Sequence, residues 1–179
     1  MSKKRKFKVG DKIVDHGQIH RIFKIKKIKG FAGKKEEHLF YKQFFKRDKD
    51  QSLICSIPES NVEEANLRRP ASRKKIRETL KLLKKKPNGE AKVSVADAAS
   101  FFKENDPREI ARLLRLLWVE KQDKDKPFAT RKKIIFKNAM RYLTEEISLV
   151  QKIGLKKARK KIRKRLKKIR PVKPKEENK

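Results

Sequence analysis

Apolar positions in residues 7–57 recur with a period near two, the mark of half-buried strands. Phe7 to Val14 reads as extended chain broken at Gly10-Asp11, and Gly17 separates Ile13-Val14 from the run Ile19 to Ile28. His38 to Phe45 is aromatic-rich, as strands are. Leu53, Cys55 and Ile57 share one face of a run that Pro58 ends. Gly30 to Gly33 and the charged stretch 46–50 read as turns. Five short strands joined by glycine-bearing turns predict a small barrel or sandwich.

From residue 67 the period lengthens to about 3.6, the helical value. Ser72 is placed to cap a helix with Ile76, Leu80 and Leu83 on one face, stopped by residues 84–89. Ser94-Val-Ala-Asp97 has the spacing of a capping box before Ala98, Phe101 and Phe102. Asp106-Pro107 with Glu109 is a helix start, and Ile110, Leu113, Leu114, Leu117 and Trp118 follow as its stripe. Thr130 is expected to cap a fourth helix, whose stripe runs from Ile135 to Val150 before Gly154 interrupts it. Leu155, Ala158, Ile162, Leu166 and Ile169 keep helical spacing, while Pro171 and Pro174 end any helix and leave a disordered terminus. The pattern predicts an α+β chain: a small β module, barrel or sandwich, over 1–66, a compact all-helical domain over 67–153, and a helical tail from 154. No internal repeat is present.

Charge sharpens this division. The 179 residues carry 55 Lys+Arg against 22 Asp+Glu, a net charge of +33. A charge of this size points to a polyanionic partner and says little about fold. Eleven of the sixteen residues 155–170 are basic, so the tail reads as a phosphate-binding appendage acting by counterion release. A membrane-surface helix is the rival reading, and it ranks lower because the apolar face lacks Trp and Phe. Further basic clusters open two helices, at Arg73, Lys74, Lys75 and Arg77 and at Arg131, Lys132 and Lys133. Trp118 reads as core packing, and of Phe101 and Phe102 one is expected to stay partly exposed.

The inventory for catalysis is poor. Cys55, the single cysteine, reads as a small buried hydrophobe on a strand. His16 and His20 lack further ligands and read as solvated or partner-facing side chains. The adjacent pairs Glu36-Glu37, Glu63-Glu64 and Glu145-Glu146 read as local salt-bridging groups. Phosphate-cradling glycine loops and nucleophile motifs are absent, so no enzyme, cofactor or metal is expected. A secretory segment and a bilayer-spanning apolar run are also absent from the pattern, and a cytoplasmic, nucleoid-associated location is the expectation.

Five segments, taken in order, resemble the CarD/CdnL proteins. Phe7-Lys-Val-Gly-Asp-Lys-Ile-Val14 and Ile25-Lys-Lys-Ile-Lys-Gly30 are similar to the opening of a module shared with the polymerase-interacting domain of transcription-repair coupling factor. Leu53-Ile-Cys-Ser-Ile-Pro-Glu-Ser-Asn61, with Glu63 to Arg68 after it, resembles that module's last strand and its link to the helices. Lys103 to Trp118 and Phe128 to Leu149 resemble the family's later helices, and the tail from Gly154 falls outside the resemblance.

The resemblance implies a bacterial transcription regulator whose SH3/Tudor-like module holds the RNA polymerase β subunit and whose helices touch promoter DNA. On that basis the polymerase-binding residues are Lys26, Ser56, Ile57 and Pro58. The family's minor-groove Trp is replaced by Ala91, with Lys92-Val93-Ser94 following, so DNA must be held differently. The candidates are Lys92, Arg131, Lys132, Lys133 and Lys137, and, in the tail, Arg159, Lys160, Lys161, Arg163, Lys164 and Arg165. The expected partners are RNA polymerase and double-stranded DNA, bound by a monomer. The alternative is a general nucleic-acid binder, nucleoid- or ribosome-associated, without polymerase contact.

Overall fold

A computed structural model describes residues 6–29, 35–45, 53–87, 93–123 and 127–169. The expected turns at 30–33 and 46–50, the positions Ala91 and Lys92, and the terminus from Pro171 lie outside the described residues. The chain divides into two compact units, Met1–Ala71 and Ser72–Lys179.

The first unit is a four-stranded antiparallel sheet in the order β1-β2-β3-β4, with β1 at Lys12–Asp15, β2 at Gln18–Lys29, β3 at Lys35–Gln43 and β4 at Ile54–Pro58. His16 (φ 46°) and Gly17 (φ 80°) make the two-residue turn between β1 and β2. Two positive φ values in a two-residue loop give the twist that an antiparallel hairpin needs. The expected fifth strand, Phe7 to Val9, does not form. The Asp11 amide donates to the Lys8 carbonyl at 3.1 Å, and the Lys8 amide donates to the Asp11 carboxylate at 3.1 Å. This tight turn, with Gly10 at φ 93°, uses the backbone groups a strand would have offered. On the outer edge of β1 the backbone of Arg68 makes an isolated bridge to Val14. Among the described residues the sheet is therefore open, where the strand pattern predicts a small barrel or sandwich and the family resemblance an SH3/Tudor-like barrel.

Ile13, Ile22, Leu39 and Tyr41 form one apolar face, and Val62 and Leu67 from the segment after β4 cover it. Phe7, Ile25, Cys55 and Ile57 pack at its margin. Burial raises the pKa of the Cys55 thiol, so it is no activated nucleophile.

His20 departs from the solvated histidine that the sequence predicts. It is buried, edge-on to Tyr41 at 5.3 Å, with Nδ1 3.2 Å from the Gln18 carbonyl. Loss of solvent lowers its pKa below the ordinary 6.5, outweighing the Asp15 charge and the Gln18 bond. The unfolded chain then takes up a proton first as pH falls through 6.5, so stability is lost below that pH until the folded pKa is passed. Amide exchange protection of the β2–β3 ladder should therefore drop as pH falls below the ordinary 6.5, after correction for intrinsic rates. His20→Gln should flatten that dependence, and an unchanged dependence in the variant would contradict it.

The second unit has five helices: α1 (Arg73–Leu82), α2 (Val95–Lys103), α3 (Pro107–Gln122), α4 (Thr130–Gln151) and α5 (Leu155–Leu166). The local start signals act as expected. Ser72 accepts from the Lys75 amide, Ser94 and Asp97 complete a capping box, and Asp106 accepts from the Arg108 amide with Pro107 in the first turn. Thr130 is not a cap. It is the first residue of α4, and Ala129 before it offers no side-chain bond. Trp118 is half-buried and stacks on Phe136, centroids 6.2 Å apart, while Phe102 meets Tyr142 edge-on at 5.5 Å.

The largest departure concerns the basic segment. The sequence pattern makes it an appendage, yet α5 packs on α4 with Ala158, Ile162 and Leu166 fully buried and Ile169 almost so. Lys152 takes a left-handed conformation (φ 52°) after α4, and Gly154 opens α5, so the chain turns back at once. The apolar stripe of a strongly basic helix is thus core and not a free amphipathic face.

Candidate nucleic-acid and protein interfaces

Burial of the α5 stripe fixes which of its cations face outward. Lys156, Lys157, Arg159, Lys160, Arg163 and Lys164 are exposed. Arg159 and Arg163, like Lys156, Lys160 and Lys164, are spaced four residues apart, which lines them up on one face. The row spans about 12 Å of helix axis, at about 1.5 Å per residue. Among the described residues none of the six forms an ion pair with a carboxylate within α5's own unit or elsewhere. Two predicted members are drawn inward instead. Lys161 donates from Nζ to Gln151 Oε1 at 2.8 Å, and Arg165 is half-buried and donates to the Lys161 carbonyl at 3.3 Å.

The start of α4 supplies a second basic group, with Arg131, Lys133 and Lys137 exposed. Lys132 is not available in the same way, because its Nζ is held by Glu120 Oε1 at 2.5 Å with both side chains largely covered. Beside them Lys121 Nζ lies 5.3 Å above the Phe136 ring. Lys92 lies outside the described residues. Next to it Val93 is buried, and the exposed Ser94 caps α2.

The sheet brings the other predicted group together. Register aligns Lys26, His38 and Pro58 in one row, Ile25, Leu39 and Ile57 in the next, and Lys24, Phe40 and Ser56 in a third. Rows on a pleated sheet alternate in direction, so Lys26, Ser56 and Pro58 share the face opposite the core, about 10 Å apart across β3. Ile57 belongs to the core side, where it packs against the Leu39 cluster. His38, which sequence reasoning passed over, sits between Lys26 and Pro58. Its two ring nitrogens are buried without a hydrogen-bond partner, and the Glu36 carboxylate is 3.8 Å away. β4 is an edge of this sheet, and its first residue Ile54 and the preceding Leu53 are 60% and 75% exposed.

Arg115 is the other residue missed from sequence. It is buried in α3, and its Nε donates to the Lys85 carbonyl at 2.6 Å. An arginine inside Leu113-Leu114-Arg115-Leu116-Leu117 was a legible signal, since an unpaired cation is rare amid an apolar run. The acidic pairs are engaged: Glu36 accepts from Ser60, Glu37 is held by Lys6, and Glu145 and Glu146 are buried in α4 with partners. Among the described residues no group of three His, Cys, Asp or Glu could hold a metal, and no helix is long and apolar enough to cross a membrane.

No curated protein gives a match to this chain. Residues 75–163 match the family model of the CarD C-terminal domain. The match runs through most of α5, so the likeness does not stop at Gly154 as the sequence segments suggest. CarD domains form a regulatory family and not an enzymatic one. With α1 to α5 laid out as described and the match running from within α1 to within α5, this chain is a CarD/CdnL-like, transcription-related protein.

Proposed function

We propose that the protein is a bacterial transcription regulator that holds the RNA polymerase β subunit through its sheet and promoter DNA through basic helical surfaces. The observation that carries the reading is the α5 face, where exposed cations stand in rows and, among the described residues, none is ion-paired to a carboxylate. Such a face binds phosphates and does not read bases, so the DNA contact is largely independent of sequence. The exposed cations at the start of α4 extend it, and Lys92 remains a candidate for the same role.

On the sheet, the open edge of β4 can accept an extended strand, with main-chain bonds giving affinity and alternate side chains giving selectivity. Ser56 and Pro58 would lie beside that strand, Lys26 would present its charge on the same face two strands away, and Ile57 would set the edge from within. The regulator then acts by coupling: two contacts made on one polymerase–promoter assembly stabilise the state that permits both.

Addition of the full chain to RNA polymerase and a promoter fragment should raise the fraction of complexes that survive competitor DNA. Lys26→Glu should weaken retention on polymerase by about three- to tenfold, as loss of a rim charge does, and leave duplex affinity unchanged. Duplex binding without any retention on the β subunit would leave the general nucleic-acid binder as the correct reading.

A further inference from the structure

A cleft of about 620 Å³ opens in the helical unit between the end of α1, α2 and α3. Its wall combines the cations Lys85, Arg112 and Arg115 with the apolar side chains Leu82, Pro87, Phe101 and Leu116. Among the described residues the one carboxylate in the wall, Glu109, accepts from Arg112 Nη1 at 2.7 Å.

Arg115 sets the chemistry. It is 8% exposed, and its one hydrogen bond runs from Nε to the Lys85 carbonyl, just past the end of α1. That bond holds the guanidinium plane and leaves the two Nη groups without an acceptor among the described residues. Burial, and then the neighbouring Arg112 charge, lower its pKa, so the site is short of a counter-charge. A desolvated cation is costly unless an anion meets it. A guanidinium fork anchored through Nε is shaped to take two oxygens of one phosphate. Arg112, three residues earlier and so on the same helix face, adds a second fork. Phe101 supplies what a bare anion does not need. It lines the cleft with part of its ring uncovered, while its neighbour Phe102 is used against Tyr142.

We infer that this cleft is a nucleotide-binding site that holds a phosphate on Arg112 and Arg115 and a base against Phe101. The volume lies in the range of small-molecule sites, about 300–1,000 Å³. The ligand is a nucleoside phosphate, either free or as one nucleotide turned out of a strand. The inference does not depend on the α5 face.

Fluorescence titration with 2-aminopurine riboside 5′-monophosphate, on the full chain, tests it. Saturable quenching is expected, with the nucleoside lacking phosphate failing to bind. Arg112→Gln should weaken binding at least tenfold, and Arg112 is exposed with only Glu109 as partner, so the variant should fold. Arg115→Lys should do the same by keeping charge and losing the fork. Phe101→Leu should weaken the mononucleotide more than it weakens competing inorganic phosphate. A forked duplex carrying one unpaired 2-aminopurine separates the sources: quenching that Arg112→Gln abolishes assigns a strand nucleotide, and quenching by the mononucleotide alone assigns a free one. Absence of saturable quenching with both probes, or equal binding by both arginine variants, overturns the inference. Neutralising the α5 cations should leave mononucleotide binding intact, so failure of the cleft and failure of the DNA-binding face give different results.

Discussion

Ile162→Ala should destabilise the helical unit by about 2–5 kcal/mol, although the residue lies in a segment where most side chains are basic. Ile162 is fully buried between its own helix and α4, with Ala158 and Leu166 equally buried on the same stripe. Removing buried methyl and methylene groups costs their transfer free energy and leaves a cavity that close-packed neighbours fill only in part. A loss of this size is a large share of the roughly 5–15 kcal/mol that holds a domain together. Truncation before Leu155 removes the whole stripe and should leave the unit partly unfolded. Urea unfolding followed by tryptophan fluorescence reads this directly, because the chain has one Trp and it stacks on Phe136 within the helical unit. An unfolding midpoint that Ile162→Ala leaves in place would mean that α5 is an appendage after all. Truncation is for the same reason a poor test of DNA binding, since lost charge and lost fold would be confounded.

Neutralising the outward face isolates the charge. Arg159→Gln, Lys160→Gln, Arg163→Gln and Lys164→Gln together should lower the slope of log affinity against log salt by about 3–4, close to 0.9 for each phosphate no longer neutralised. At about 0.15 M salt the same arithmetic gives a loss of affinity for duplex DNA on the order of 100- to 1,000-fold. Glutamine keeps helix propensity close to that of Lys and Arg, and none of the four side chains is in the buried stripe, so the urea midpoint should hold. Neutralising Lys161 and Arg165 should change the slope by less, because both already lie against the helix surface. A salt slope equal to that of the parent protein in the fourfold variant would remove α5 from the DNA interface. A fall in affinity equal across unrelated duplex sequences is part of the expectation, since phosphate contacts carry no base information.

Much of this fold was legible because it is local. Ser72, the Ser94–Asp97 box and Asp106-Pro107 each start a helix through bonds that reach no further than three residues along the chain. The Asp15-His16-Gly17-Gln18 turn and the alternation of Ile25 with Lys24 and Lys26 are equally short-range. The match over residues 75–163 agrees with segments that resemble CarD proteins in the sequence itself. The candidate interfaces were legible only as composition: a count of basic residues tells neither which cations face solvent nor which are already used.

The sequence by itself determined the change from strand to helix near residue 67, most helix starts, and the large excess of positive charge. Each follows from periodicity, capping or net charge, properties that need no knowledge of what lies across the core. Tertiary structure decided the rest. It turned the apolar stripe of α5 inward, paired Lys132 with Glu120, buried His20, kept the sheet open, and set Arg115 against the Lys85 carbonyl, 30 residues away along the chain. These outcomes depend on which surfaces meet after folding, and burial and pairing are properties of that meeting, set by groups far apart in sequence.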